Sequence, residues 1–207
     1  MKKILVIGTG GLAREFNTFF SKQVEIVGFS SKNKNEFIKF NMPSIFFDTD
    51  INPDTVGTDM CVIAIGSPAT KRKINENLKL KGFTFPNLIH SSCVADVKFS
   101  DKTEGVIISP NCTLASNIKF NSHVYINFNV GVGHDSAFHS YIQVNPGVQI
   151  GGFSTIESDV LIGSGAMIRQ DLKVGQGATV GSGSVVVKNV STGITVAGNP
   201  AKQIKLL

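Results

Sequence analysis

Large apolar residues recur every six positions through the second half of the chain. From Ile108 the steps of six fall on Leu114, Phe120, Ile126, Val132, Phe138, Val144, Ile150, Ile156, Ile162, Ile168, Val174, Val180 and Val186, each one Ile, Leu, Val or Phe. The positions four further on, from Cys112 through Val148 to Val190, are also small or apolar. Gly133, Gly151, Gly163, Gly175 and Gly181 directly follow large residues. Neither a helical period nor the alternation of a plain strand gives this pattern. A six-residue unit does: a short strand with inward residues two apart, then a turn where small residues relieve crowding. Three units close a triangular coil of about 18 residues, and coils stack at about 4.8 Å. The pattern predicts a parallel β-helix over the 84 residues from Ile108 to Ser191. The hairpin turns of an antiparallel sandwich would break the phase.

The first part of the chain reads differently. Lys2–Gly8, Val24–Ser30 and Met60–Gly66 are buried-strand patterns. Gly10–Ser21 carries Leu12, Phe16, Phe19 and Phe20 at helical spacing, and Ala69–Lys81 has Ile74 and Leu78 four apart. Asn33–Phe40 is polar and poorly periodic. Strands alternating with helices predict a small parallel α/β domain over residues 1–88, followed by the β-helix domain over residues 89–207. An insertion near Asp101–Glu104 interrupts the repeat before it settles into phase.

Composition narrows the function. The chain has 207 residues and a formal net charge of +5, with basic residues scattered except at Lys71-Arg72-Lys73. It has no Trp, no zinc-finger spacing and no aromatic-basic alternation, which points away from nucleic acid and toward small phosphorylated ligands. The longest apolar run, Met60–Ile65, is far short of a membrane span, and the N-terminal apolar run stops at Ile7. Three cysteines (Cys61, Cys93, Cys112) lack CxxC spacing, so a reduced, cytoplasmic setting without membrane insertion is expected. Cys61 and Cys112 read as small buried hydrophobes.

Two places carry candidate chemistry. Gly8-Thr9-Gly10-Gly11-Leu12-Ala13 fits a glycine turn between strand and helix, where backbone N–H groups approach a phosphate. A dinucleotide site would also want an acidic residue at the end of the second strand, but Ser30-Ser31 stands there, and the domain is too short for two mononucleotide halves. A nucleotide-linked substrate fits better than NAD(P). The turn at Gly66-Ser67-Pro68 falls at the same sheet edge. The second place is His134-Asp135 at a coil corner, a plausible general base beside a carboxylate. His139 shares a column with Asn121 and Glu157, while His90 and His123 have no evident partner. The His134/His139 spacing resembles that of gamma-class carbonic anhydrases, but the third-histidine position is Lys98, so no metal is expected.

The hexapeptide run, Gly133-His134-Asp135, Asn145-Pro146-Gly147 and Ala197-Gly198-Asn199-Pro200-Ala201-Lys202, with the N-terminal GTGGLA and VIAIG segments, resemble one family. It is the bacterial sugar acetyltransferases with a left-handed β-helix and an N-terminal Rossmann-like domain, including sialic acid O-acetyltransferases and nucleotide-4-amino-sugar N-acetyltransferases. The resemblance implies a homotrimer, acetyl-CoA between neighbouring β-helices, and a sugar nucleotide on the N-terminal domain. It implies His134 as general base and Asp135 as the residue raising its basicity. It further implies Asn127 near the sugar, Gly10, Gly11, Leu12 and Gly66 at the nucleotide, and Gly152 and Lys173 at acetyl-CoA. Ser30 and Ser31 replace two acidic residues usual in the family at the nucleotide. Gln143 replaces a second histidine near the thioester; its amide can still donate to a carbonyl oxygen. The expected reaction is acetyl-CoA-dependent N-acetylation of a UDP- or dTDP-linked 4-amino-4,6-dideoxy sugar. The alternatives are O-acetylation of sialic acid or a related sugar, and a non-catalytic sugar-nucleotide-binding role.

Overall fold

The computed structural model describes residues 1–32 and 45–205, and the polar Asn33–Phe40 segment lies outside them. The chain divides into two compact units, Met1–Pro86 and Asn87–Leu207.

The first unit holds a four-stranded parallel sheet of β1 (Lys2–Ile7), β2 (Val24–Ser31), β3 (Ile45–Phe47) and β4 (Cys61–Ile63), in the order β3-β2-β1-β4. All four strands end at one edge. Three helices are described: α1 (Gly11–Phe20), α2 (Pro53–Val56) and α3 (Pro68–Leu80). Helix α1 buries Ala13, Phe16 and Phe20, the last two rings stacked at 4.7 Å. Leu5 and Ile7, on one face of β1, share a core with Leu78 of α3 and with Phe83 and Phe85. Strand β3 and helix α2 are additions to the elements expected from sequence. Helix α2 starts at an Asn52 capping box with Pro53 in its first turn.

The second unit is a parallel β-helix of two-residue strands on three faces. The first face runs from Leu88–Ile89 through Tyr125–Ile126 and Gln143–Val144, the second through Gly131–Val132 and Met167–Ile168, the third through Ala137–Phe138 and Lys173–Val174. Successive coils pair eighteen residues apart, as in Tyr125↔Gln143 and Gly131↔Gln149. The pairing Leu88↔Ile107 spans nineteen, so the first coil carries one extra residue, as the interruption near Asp101–Glu104 foretold. Every inward position of the six-residue phase from Ile108 to Val186 is buried, as is every position of the Cys112 column. Ser136 and Ser154 in that column donate to the carbonyls of Gly133 (2.9 Å) and Gly151 (2.7 Å), which removes the cost of burying a hydroxyl.

The corners use two devices. Residues Asn111, Asn117, Asn129, Asp135, Asp159 and Asp171 take positive φ between 57° and 63°, the left-handed conformation that Asn and Asp tolerate best. Glycines after the large inward residue serve a different purpose. A Cβ on Gly133 would lie 2.3 Å from the Gly152 nitrogen, and one on Gly151 2.4 Å from the Gln170 nitrogen. Those glycines let one coil lie against the next.

Candidate active site

His134 occupies the corner between the second and third faces. Its neighbour Asp135 has φ 58°, and this left-handed turn folds the carboxylate back onto the ring. His134 Nδ1 and Asp135 Oδ2 are 2.9 Å apart, and Asn117 one coil earlier donates its amide to Asp135 Oδ1 at 2.5 Å. The Asn117 amide, then His134, hold the Asp135 carboxyl below its usual range, so it stays ionised near neutrality. With Nδ1 tied to a carboxylate, Nε2 is the nitrogen left for proton transfer. A Cβ built on Gly152 would stand 3.1 Å from that Nε2 and 3.0 Å from the His134 carbonyl, so Gly152 lies directly against the ring. Phe153 meets the ring edge-on at 5.0 Å, with its side chain exposed on the surface. Sequence reasoning missed Phe153. Its only signal is an aromatic side chain at a left-handed corner (φ 57°), in a column that otherwise carries Asn117, Asp135 and Asp171.

A groove of about 950 Å³ runs along the second face and ends at this corner. Gly131, Gln149, Met167 and Val185 line it, and Gly133, Gly151 and Arg169 bound it on the His134 side. Gln149, Met167 and Arg169 carry no motif, and only the phase of the repeat marks them as outward.

The other predicted residues sit elsewhere in the same chain. Asn127 is buried at the corner between the first and second faces, its side-chain oxygen accepting from the Phe128 nitrogen at 2.8 Å and its carbonyl accepting from Cys112 Sγ at 3.0 Å. Gln143 is on the first face, also buried, and donates to Asn145 Oδ1 at 3.2 Å. Lys173 is on the third face, its ammonium 2.6 Å from Glu157 Oε1, while Glu157 Oε2 accepts from the Gln176 nitrogen at 2.8 Å. One chain therefore brings Gly152 to His134 and leaves Asn127, Gln143 and Lys173 apart from it. Glu157 engages Lys173 rather than completing a bonded column with His139. The two histidines read as partnerless have partners: His123 Nε2 lies 3.5 Å from Glu104 and its ring stacks on Tyr141 at 5.0 Å, and His90 Nδ1 meets Ser92 Oγ at 2.8 Å. Among the described residues no group of three or more His, Cys, Asp and Glu side chains is placed to hold a metal.

In the first unit the glycine turn follows β1. Gly8 takes φ 112° and donates to the Ser30 carbonyl at 2.9 Å, which ties the turn to the end of β2. Gly10 is the N-cap of α1 with no side-chain cap, and the space above Gly10, Gly11 and Gly66 is open. The uncapped N–H groups at the start of α1 suit an anion. Leu12 is half-buried, and Ser30 and Ser31 are buried at the end of β2. The start of α3 is closed by Ser67, which accepts from the Thr70 nitrogen at 3.3 Å. Sequence reasoning missed Asp48, just beyond β3, whose carboxylate accepts from the Ser30 hydroxyl.

The bacterial transferase hexapeptide model (six repeats) matches residues 153–188. Solved structures are similar over nearly the whole chain. The acetyltransferase domain of PglB from Neisseria gonorrhoeae FA1090, in complex with acetyl coenzyme A, is 25% identical with a TM-score of 0.80, covering 98% of this chain and 99% of that one. WeeI from Acinetobacter baumannii AYE is 26% identical with a TM-score of 0.78, covering 99% and 100%. PerB from Caulobacter crescentus, in complex with CoA and GDP-perosamine, is 21% identical with a TM-score of 0.85, covering 99% and 98%, which speaks to fold alone. Among curated proteins no sequence matches the chain. No helix among the described residues is long and apolar enough to cross a membrane.

Proposed function

We propose that this chain is an acetyl-CoA-dependent N-acetyltransferase acting on the 4-amino group of a nucleotide-linked 4-amino-4,6-dideoxy sugar. The single observation that carries the reading is the His134–Asp135 pair at 2.9 Å, standing against Gly152 where a groove along the β-helix ends. His134 Nε2 takes a proton from the sugar amine as the amine nitrogen attacks the thioester carbonyl. The C–S bond then breaks, coenzyme A leaves as thiolate and the proton is returned to it, without an acyl-enzyme. Asp135 holds the ring and stabilises the imidazolium. The Gly152 N–H is a fit donor for the acetyl oxygen. The repeat match and the likeness over nearly the whole chain to the acetyltransferase domain of PglB support the acyl-transfer chemistry.

The glycine turn at Gly10, Gly11 and Leu12, with Ser30, Ser31 and Gly66 at the same sheet edge, takes the nucleotide in a Rossmann-like first domain. The β-helix is left-handed. Asn127, Gln143 and Lys173 contact the sugar or acetyl-CoA from a neighbouring copy in a homotrimer. Residue spacing supports this arrangement. Gln143 is nine residues from His134, half of the eighteen that separate paired coils, so it falls across the triangle from His134. A second copy is the route by which those side chains reach the same acetyl group. The test is product analysis after incubation with acetyl-CoA and amino-sugar nucleotides. Mass and two-dimensional NMR should place the acetyl on nitrogen; an acetyl on oxygen would move the chain to the O-acetyltransferases. Sedimentation equilibrium should give three times the 22.1 kDa chain mass, and a monomeric active species refutes the shared site.

A further inference from the structure

The first unit has the glycine turn of a nucleotide site but no acidic residue at the end of its second strand, where such a residue commonly binds the ribose 2′-hydroxyl. The structure supplies one from the next strand. Strands β2 and β3 pair in parallel with Ser30 opposite Phe46 and Ser31 opposite Phe47, so Asp48 comes directly after the paired ends. The Ser30 hydroxyl donates to Asp48 Oδ1. The Asp48 backbone is fixed on both sides, its nitrogen donating to the Ser31 carbonyl at 3.4 Å and its carbonyl accepting from Lys81 Nζ at 3.0 Å. Among the described residues no cation is ion-paired with its carboxylate. The Ser30 carbonyl in turn accepts from Gly8 at 2.9 Å, which ties this pair to the glycine turn.

We propose that Asp48, held in place by the buried Ser30 hydroxyl, accepts the 2′- and 3′-hydroxyls of a ribose, so that the substrate is a ribonucleoside diphosphate sugar rather than a 2′-deoxy one. The hydroxyl of Ser30 has one proton, and that proton goes to Asp48. Asp48 Oδ2 and the second lone pair of Oδ1 remain as two adjacent acceptors. A vicinal diol presents two adjacent donors. A 2′-deoxyribose presents one and leaves a carboxylate oxygen without a partner, the kind of loss that a site built for a hydroxyl discriminates against strongly. The inference rests on the reading that the first unit takes the nucleotide.

The test is calorimetric titration of the full chain with matched pairs, UDP against 2′-deoxy-UDP and GDP against 2′-deoxy-GDP. For the preferred base the ribose form should bind at least about tenfold tighter. Asp48→Ala should erase that difference by weakening the ribose form, leaving the deoxy form and acetyl-CoA unchanged. In turnover it should raise KM for the sugar nucleotide with little effect on kcat, a split that a merely structural role would not give. Asp48→Asn keeps the shape and an acceptor for Ser30, and repeats the test if Asp48→Ala melts lower. Equal wild-type binding of ribose and deoxy forms, or equal losses for both in the variant, overturns the role of Asp48 and leaves the nucleotide reading standing. Failure of every nucleoside diphosphate to bind overturns both.

Discussion

Replacing Gly152 with alanine should silence the site while sparing the fold. The added Cβ would stand 3.0 Å from the His134 carbonyl oxygen and 3.1 Å from both Cε1 and Nε2 of its ring. Carbon contacts settle at about 3.5–4.0 Å, so the ring must retreat by roughly 0.4–0.9 Å. The ring is half exposed and can swing outward, but doing so strains its 2.9 Å contact with Asp135 and moves Nε2 off the amine. A misplacement of about 1 Å at a reacting group costs on the order of 100-fold, so kcat/KM should fall about 10- to 100-fold. A change confined to a surface corner should cost less than about 1 kcal/mol, under about 4 °C in Tm. Gly133→Ala is the contrasting control. Its Cβ would lie 2.3 Å from the Gly152 nitrogen and 2.8 Å from backbone carbons of Gly151 and Gly152, atoms that cannot swing aside. Overpacking there should cost about 1–3 kcal/mol, roughly 2–12 °C in Tm. Thiol release from acetyl-CoA measures the first effect and thermal unfolding by circular dichroism the second. Full activity in Gly152→Ala would refute the placement of the reacting atoms beside Nε2.

Three further outcomes are expected. Phe138→Ala removes a fully buried ring stacked on Phe120 at 4.9 Å, and should cost about 3–5 kcal/mol, read as a loss of Tm; a shift below 3 °C would contradict the packing described. In Asn117→Ala the Asp135 carboxyl loses its principal donor and should titrate higher, toward the ordinary carboxylate range, as followed by carbon-detected NMR. The sign for stability follows: a carboxyl lowered in the folded chain contributes stability above the ordinary range that is lost as pH falls through its lowered value, so wild type should lose more stability than Asn117→Ala on acidification below about pH 4, measured by urea unfolding at each pH. Phe153→Ala should leave Tm nearly unchanged but lower kcat by freeing the His134 ring, and an unchanged kcat would show that Asp135 alone orients it.

The β-helix was legible because each inward position obeys a local rule, and fourteen repetitions of that rule leave one architecture. The His134–Asp135 pair was legible for the same reason, since the phase alone puts both residues at a corner. The left-handed turn that makes them touch is less legible: Asn, Asp or Gly stands at most positions of that six-residue phase, but His123, Tyr141 and Phe153 interrupt it, and the glycines that follow large residues mark close approach between coils instead. Strand β3 escaped because three residues carry no periodicity, and its place beside β2 is a tertiary pairing. Asp48 escaped with it: an acid of this kind ordinarily stands at the end of the second strand, beside Ser30 in sequence, whereas here the sheet brings it from eighteen residues on. The roles of Gln143 and Lys173 rest on the family resemblance alone, and position along a coil, not distance in sequence, decides which face each occupies.

The central claim is that His134 is the base of an acetyl transfer from acetyl-CoA to a sugar amine. The most direct measurement is thiol release from acetyl-CoA with a panel of UDP-, GDP- and dTDP-linked 4-amino-4,6-dideoxy sugars, on wild type and His134→Ala. The account predicts turnover on a sugar of this class, falling about 100- to 10,000-fold in the variant with acetyl-CoA binding retained. Turnover that survives in His134→Ala, or wild-type release that proceeds only with hydroxyl acceptors, would contradict it.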